Sequence, residues 1–265
     1  TSFRISEDAR IMGLGDKVSS LNKRGYVYES WATDHPWHHD ELYETLYKAM
    51  NSLLLYSYKR YFGLFFPSTY RYYYDLAKYD LDVVKVKNKY ALNDVYVFLG
   101  DDPKEITSAY SLLLGTPYMI RMKMLGNNQS RWSYENEEQV LKVLEGYRKN
   151  NIPLDYIHLD IHYLDGYRDF TVDTSRFPDL RGLCDKLKEN NVDIVVINDA
   201  GIKVDDNYKV YRYCIDNDLA AKNNDGSTYV GVVWPGDSIF PNYFHPKMKK
   251  FLVQEASEFV EKYNI

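Results

Sequence analysis

The chain has 265 residues, 33 Lys and Arg against 38 Asp and Glu, a formal net charge of −5 and 45% hydrophobic residues. That length buries a substantial core, as one large α/β domain or two modest ones. The mildly acidic, well-mixed charge argues against nucleic acid or an anionic membrane as a partner, and no apolar run approaches the roughly 20 residues of a membrane span.

The chain opens on Thr1 with Arg4, Glu7, Asp8 and Arg10 in its first ten residues. No signal peptide or initiator Met is visible, so the start is expected to be a cut inside a longer protein of cytoplasmic type. Residues 1–100 read as strands. The run from Tyr61 to Tyr74 is dense in aromatic residues and punctuated by Gly63 and Pro67-Ser68. Residues 82–99 alternate as VVKVKNKY and resume as VYVFLG, which predicts two half-exposed strands joined near Asn88 or Asn93-Asp94. An antiparallel β domain, one part of a sandwich, follows from this pattern.

After Gly100 the period changes. Asp102 is placed to cap a helix, with Pro103 at its first position and Gly115 just past its end, and a domain boundary is expected near residue 105. Residues 135–150 then give a helix with acids early and bases late. A strand is expected over Leu154–Ile161, a helix over Leu180–Glu189, an apolar strand over Val192–Ile197 and a last helix over Pro246–Tyr263. Alternation of this kind builds a parallel sheet or barrel, and three strands cannot close a barrel. Cys184 and Cys214 fit two reduced, partly buried thiols better than a bridge. The 27 tyrosines raise aromatics to 16%; such rings pack, or face sugars through an apolar ring and a hydroxyl.

Four segments carry polar groups at or after strand ends, where a barrel places its chemistry. They are QSRWSY (129–134), HLDIHYLDGYRDFTVD (158–173), INDAGIKVDDNY (197–208) and YVGVVWPGDSIFPNY (229–243). Asp160 stands inside an apolar run, where a carboxylate must be partnered or meet a ligand. His38, His39 and Asp40 could invite a metal, but adjacent loop residues seldom fit one tetrahedron, and no metal site is expected.

Together these segments, with GLGDKVSSLNKRGYVYESWATDHP upstream, resemble glycoside hydrolase family 31, the α-glucosidase and α-xylosidase family. The resemblance is collinear from about Gly13 to Tyr263. It implies the C-terminal part of an N-terminal β-sandwich over 1–105 and the first three βα units of a (β/α)8 TIM barrel over 106–265. It further implies that Asp34 is the sandwich-loop carboxylate that contacts sugar, that Trp132 lies at the sugar subsite, and that Asp160 accepts sugar hydroxyls. Ile202 and Trp234 match two subsite walls. The family needs no metal or organic cofactor.

The sequence departs from the family pattern at several points. LDIDYMD is LDIHYLD, placing His162 where a carboxylate is usual. DPG is DAG at 199–201, FPDFTNP is FPNYFHP, and DNT is PST at 67–69. No WNDMNE-type segment, which carries the family's nucleophile, occurs in the 265 residues, nor does the later acid/base carboxylate. The expected function is therefore a fragment of a retaining α-glycosidase that contacts an α-linked oligosaccharide or glucoside but lacks both catalytic carboxylates. The alternative is a noncatalytic carbohydrate-binding or structural module. The expected partner is the remainder of the parent barrel, or a second copy meeting exposed edges.

Overall fold

The computed structural model describes residues 1–15, 17, 19–32, 49–88 and 94–265. The chain divides after Tyr118 into two compact units. The first holds β1 (Ser2–Arg4), β2 (Arg10–Gly15), β3 (Val27–Ser30), β4 (Ala49–Ser57), β5 (Arg60–Phe65), β6 (Tyr72–Leu76), β7 (Val83–Asn88), β8 (Tyr96–Gly100) and helix α1 (Pro103–Leu114). These strands form two antiparallel four-stranded sheets, ordered β1-β7-β6-β3 and β2-β4-β5-β8. Their inner faces bury Ile11, Leu55, Tyr72, Tyr74 and Val84 in one core. Tyr58 and Lys59, both at positive φ, close the β4–β5 hairpin as a two-residue turn that matches the strand twist.

The two strands expected over residues 82–99 form as β7 and β8, and they lie in different sheets. The division falls after Tyr118 instead of near residue 105 because α1 belongs to the first unit. Its Ile106 is buried, and its Tyr110 meets Phe65 edge-on at 5.5 Å. The helix itself starts as its sequence dictates: Asp102 accepts from the N–H groups of Lys104 (2.7 Å) and Glu105 (3.0 Å).

The second unit begins with β9 (Asn128–Ser130), α2 (Glu137–Lys149), β10 (Tyr156–Leu159), α3 (Leu180–Glu189) and β11 (Asp193–Val196). It continues with β12 (Ile202–Lys203), α4 (Lys209–Asp216), β13 (Val230–Val233), β14 (Gly236–Ile239) and α5 (Pro246–Tyr263). β10 is central and parallel to both neighbours, with Tyr156 opposite Asn128 on one side and Asp193 on the other. Its residues Ile157 and Leu159 are buried with Val140 and Leu144 of α2, Leu183 and Leu187 of α3, and Phe259 of α5. This is the opening of a βα barrel, with three strands laid side by side and helices packed against them.

A second small core, built on Ile202, Tyr208, Cys214, Ile239, Met248 and Phe251, seats the antiparallel sheet β12-β14-β13. Cys184 and Cys214 are both buried and free. Burial pushes the thiols up to about 12 and about 11, so both are protonated and inert at neutral pH. Among the described residues no helix is long and apolar enough to cross a membrane.

Candidate functional site

The carboxyl ends of β9, β10 and β11 point the same way because the strands are parallel, and the residues that follow them share one end of the sheet. Trp132 comes two residues after β9, Asp160 directly after β10, and Asp199 shortly after β11. Trp234 sits at the tip of the β13–β14 hairpin. Its ring centroid lies 6.4 Å from that of Trp132, with 38° between the planes. Both indoles are exposed, Trp132 by 73% and Trp234 by 63%. Large apolar rings left in water forgo roughly 25 cal/mol for each Å² they could bury. Two of them side by side at a strand end form a ready face for a flat apolar surface such as the C–H side of a pyranose.

Asp160 stops β10 and caps the tight turn that follows. One of its oxygens accepts the Ile161 N–H at 2.7 Å, and the other has no protein partner among the described residues. A carboxylate placed in this way retains capacity to accept a hydroxyl. The sequence also pointed to Ile202 as a wall. Ile202 is buried, 2% exposed, in β12 opposite Ile239, and it borders a cleft shared with Asp169, Asn198, Asp199 and Tyr243. Asp34, with His38, His39 and Asp40, lies outside the described residues. Among those described, no group of three or more His, Cys, Asp or Glu is placed to hold a metal.

Two carboxylates and a histidine outside the site residues named from the sequence matter here, Asp169, Asp199 and His162, and Arg168 holds their loop. Asp169, 4% exposed, accepts the Asp199 backbone N–H at 3.0 Å, and its own carbonyl accepts the Tyr208 hydroxyl at 2.9 Å. Burial, and then the charge of Asp199, push the Asp169 carboxyl up to about 7, against the opposing pull of the hydrogen bond from Asp199. Asp199 is raised as well, first by burial and then by the charge of Asp160, and its Oδ2 is buried without a partner. The charge of Asp199 thus disfavours ionisation of Asp169, and the charge of Asp160 disfavours that of Asp199. Arg168, beside Asp169, ties the loop down by pairing with Asp165 and with Asp205 at 2.8 Å. The one signal in the sequence was the Arg168-Asp169 pair flanked by Tyr167 and Phe170, which resembles an ordinary loop until the fold closes around it.

The third is His162. Its ring centroid lies 6.4 Å from Trp132 and 5.8 Å from Tyr167, edge-on to the tyrosine at 86°. Its Nε2 is 3.9 Å from Glu135, whose other oxygen is held by Arg176 at 2.7 Å.

Comparison with known proteins bears on the family and the fold. Residues 117–265 match the glycosyl hydrolases family 31 TIM-barrel domain, and residues 1–75 match the glycosyl hydrolase 31 N-terminal galactose mutarotase-like domain. Alpha-glucosidase 2 of Bacillus thermoamyloliquefaciens is 35% identical over 250 residues, 94% of this chain and 32% of the relative. An alpha-glucosidase of Mucor javanicus is 29% identical over 282 residues, 98% of this chain and 30% of the relative. The chain therefore spans about a third of the length of these curated relatives. Among solved structures, the glucosidase II alpha subunit bound to Glc1Man2 superposes with a TM-score of 0.79 at 29% identity, covering 94% of this chain and 29% of that one. A Flavobacterium johnsoniae dextranase complexed with isomaltotriose shares the fold, with a TM-score of 0.83 at 24% identity, over 98% of this chain and 32% of its own.

Proposed function

The chain belongs to glycoside hydrolase family 31, and on that premise we propose that it forms the sugar-binding wall of a retaining α-glucosidase-type site. The observation that carries this reading is the pair of exposed indoles, Trp132 and Trp234, at the strand end where Asp160 keeps a free oxygen. The rings offer a stacking face to the pyranose, and Asp160 accepts its hydroxyls. The alpha-glucosidase relatives, and the glucosidase II alpha subunit with Glc1Man2 or alpha3-Glc2 bound, support an α-linked glucoside as the ligand.

Retention requires two carboxylates about 5–5.5 Å apart, one to attack the anomeric carbon and one to protonate the leaving oxygen. In this reading none of the described acids fills either role. Asp160 holds a turn and a hydroxyl, Asp169 is buried and engaged with backbone, and Asp199 lacks any partner that would ready it as a nucleophile. No WNDMNE-type segment lies in the 265 residues. The chain binds; cleavage needs further barrel strands. Among the described residues β9 and β11 each pair only with β10 in this sheet, so both outer edges can accept the strands that would complete it.

Titration with maltose, followed by the protein's tryptophan fluorescence, tests this reading. Saturable quenching that Trp132→Ala and Trp234→Ala each abolish is the expected result. A titration with no change at any maltose concentration overturns it.

A further inference from the structure

The surroundings of His162 give its ring a task that a carboxylate could not perform. Among the described residues, the Trp132 indole N–H meets no protein acceptor, and the ring is 73% exposed. Its ring neighbours are Trp234, itself 63% exposed, and His162, whose side chain is only 17% exposed. Of the two, His162 is the one with a fixed position. It starts from the tight turn at 161–163 that Asp160 caps, with Ile161 and Tyr163 buried on either side. Tyr167 meets its ring edge-on from one direction, and Glu135, anchored by Arg176, faces its Nε2. Among the described residues its Nδ1 is buried without a hydrogen-bond partner, so its ring packing has taken precedence over satisfying that nitrogen.

We infer that His162 is a positioning residue for Trp132: the imidazole is the ring against which the exposed indole rests, and it sets the angle at which Trp132 and Trp234 together face a sugar. An aspartate at this position would offer no ring to pack and would place a charge beside the indole. The consequence for sugar binding rests on the function proposed above, whereas the consequence for the two indoles does not.

Circular dichroism separates the two. Indoles 6.4 Å apart couple their excited states and give a paired positive and negative band whose size depends on their mutual angle. In the 265-residue chain this band should be present, and Trp132→Phe and Trp234→Phe should each remove it, which identifies its source. His162→Ala should at least halve it with the helical signal unchanged, and His162→Phe, which keeps a ring but no nitrogen, should restore it. Maltose affinity should fall by about 2- to 10-fold in His162→Ala, the range of one aromatic contact, and recover in His162→Phe. A wild-type chain without the band, an undiminished band in His162→Ala, or a loss that His162→Phe does not restore overturns the inference. A wild type that shows the band but binds no maltose contradicts the proposed function and leaves the role of His162 to be decided by the variants' spectra alone.

Discussion

The carboxylate of Asp169 accepts the backbone N–H of Asp199 at 3.0 Å, so the loop after β10 holds the turn that leaves β11. The Tyr163 hydroxyl strengthens the same junction by donating to the Ile197 carbonyl at 2.8 Å. Ile202 and the hairpin that carries Trp234 follow from this turn, so the junction links the barrel strands to one of the two exposed indoles.

The junction depends on pH. Burial raises Asp169 from its ordinary 3.8 to about 7, so the folded chain holds that proton more tightly than the unfolded chain does. Its contribution to stability is complete below pH ~4 and is lost as pH rises through about 7, a change on the order of 4 kcal/mol. Asp199, also raised, acts in the same direction. The wild-type melting temperature should therefore decline between pH 5 and pH 8. Asp169→Asn keeps an acceptor for the Asp199 N–H and should flatten that decline; thermal melts across this range would show it.

Gly201 adjoins the same hairpin. A Cβ there would lie 2.6 Å from Val233 Cγ2 and 3.3 Å from Ser238 Cβ. Val233 precedes Trp234, so Gly201→Ala should push on the hairpin at the residue that supports the indole. Overpacking of this kind costs about 1–3 kcal/mol. Urea unfolding should record the loss, and maltose affinity should fall with it; an unchanged midpoint would place the hairpin further from the turn than the structure does.

Asp160 should dominate the polar part of sugar recognition. Losing a hydrogen bond to a charged group costs about 1.5–3 kcal/mol, or roughly 10- to 100-fold in affinity. Asp160→Asn should produce a loss of that size in a maltose titration. Affinity unchanged by the substitution would remove Asp160 from the site.

The open sheet edges and exposed apolar groups should make the isolated chain associate. Val232 is 78% exposed and Phe244 99%, and both outer edges of the parallel sheet lack a strand among the described residues. Light scattering should rise with concentration, and ANS should bind. A monomer that binds no ANS and melts in one sharp transition would show that the chain closes its own core.

What was legible in the sequence was the part set by local chemistry. The helices at 180–189 and 246–263 follow from apolar spacing, with Asp179 and Pro246 marking their starts. The helix over 209–216 gave no such sign. Tyr208 precedes it and offers no capping side chain, so only burial of Val210 and Cys214 identifies it. The sheet assignment of β7 and β8 was not legible either, because alternation specifies a strand's two faces but not its partner. Trp132, Asp160 and Trp234 stood out in the sequence through their motifs, and the structure places Trp132 and Asp160 just after strands and Trp234 at a hairpin tip. The Asp169–Asp199 contact spans thirty residues and exists only after β10 and β11 pair.

In the proposed function these 265 residues hold a glucoside without supplying the group that attacks it. Intact-mass spectrometry after incubation with an activated 5-fluoro-α-glucosyl fluoride tests this most directly, since the reagent traps a glycosyl-enzyme wherever a competent nucleophile exists. The account predicts an unmodified mass, together with no release of p-nitrophenol from the α-glucoside above buffer. A one-to-one adduct mapping to Asp160, Asp165 or Asp199 would contradict it.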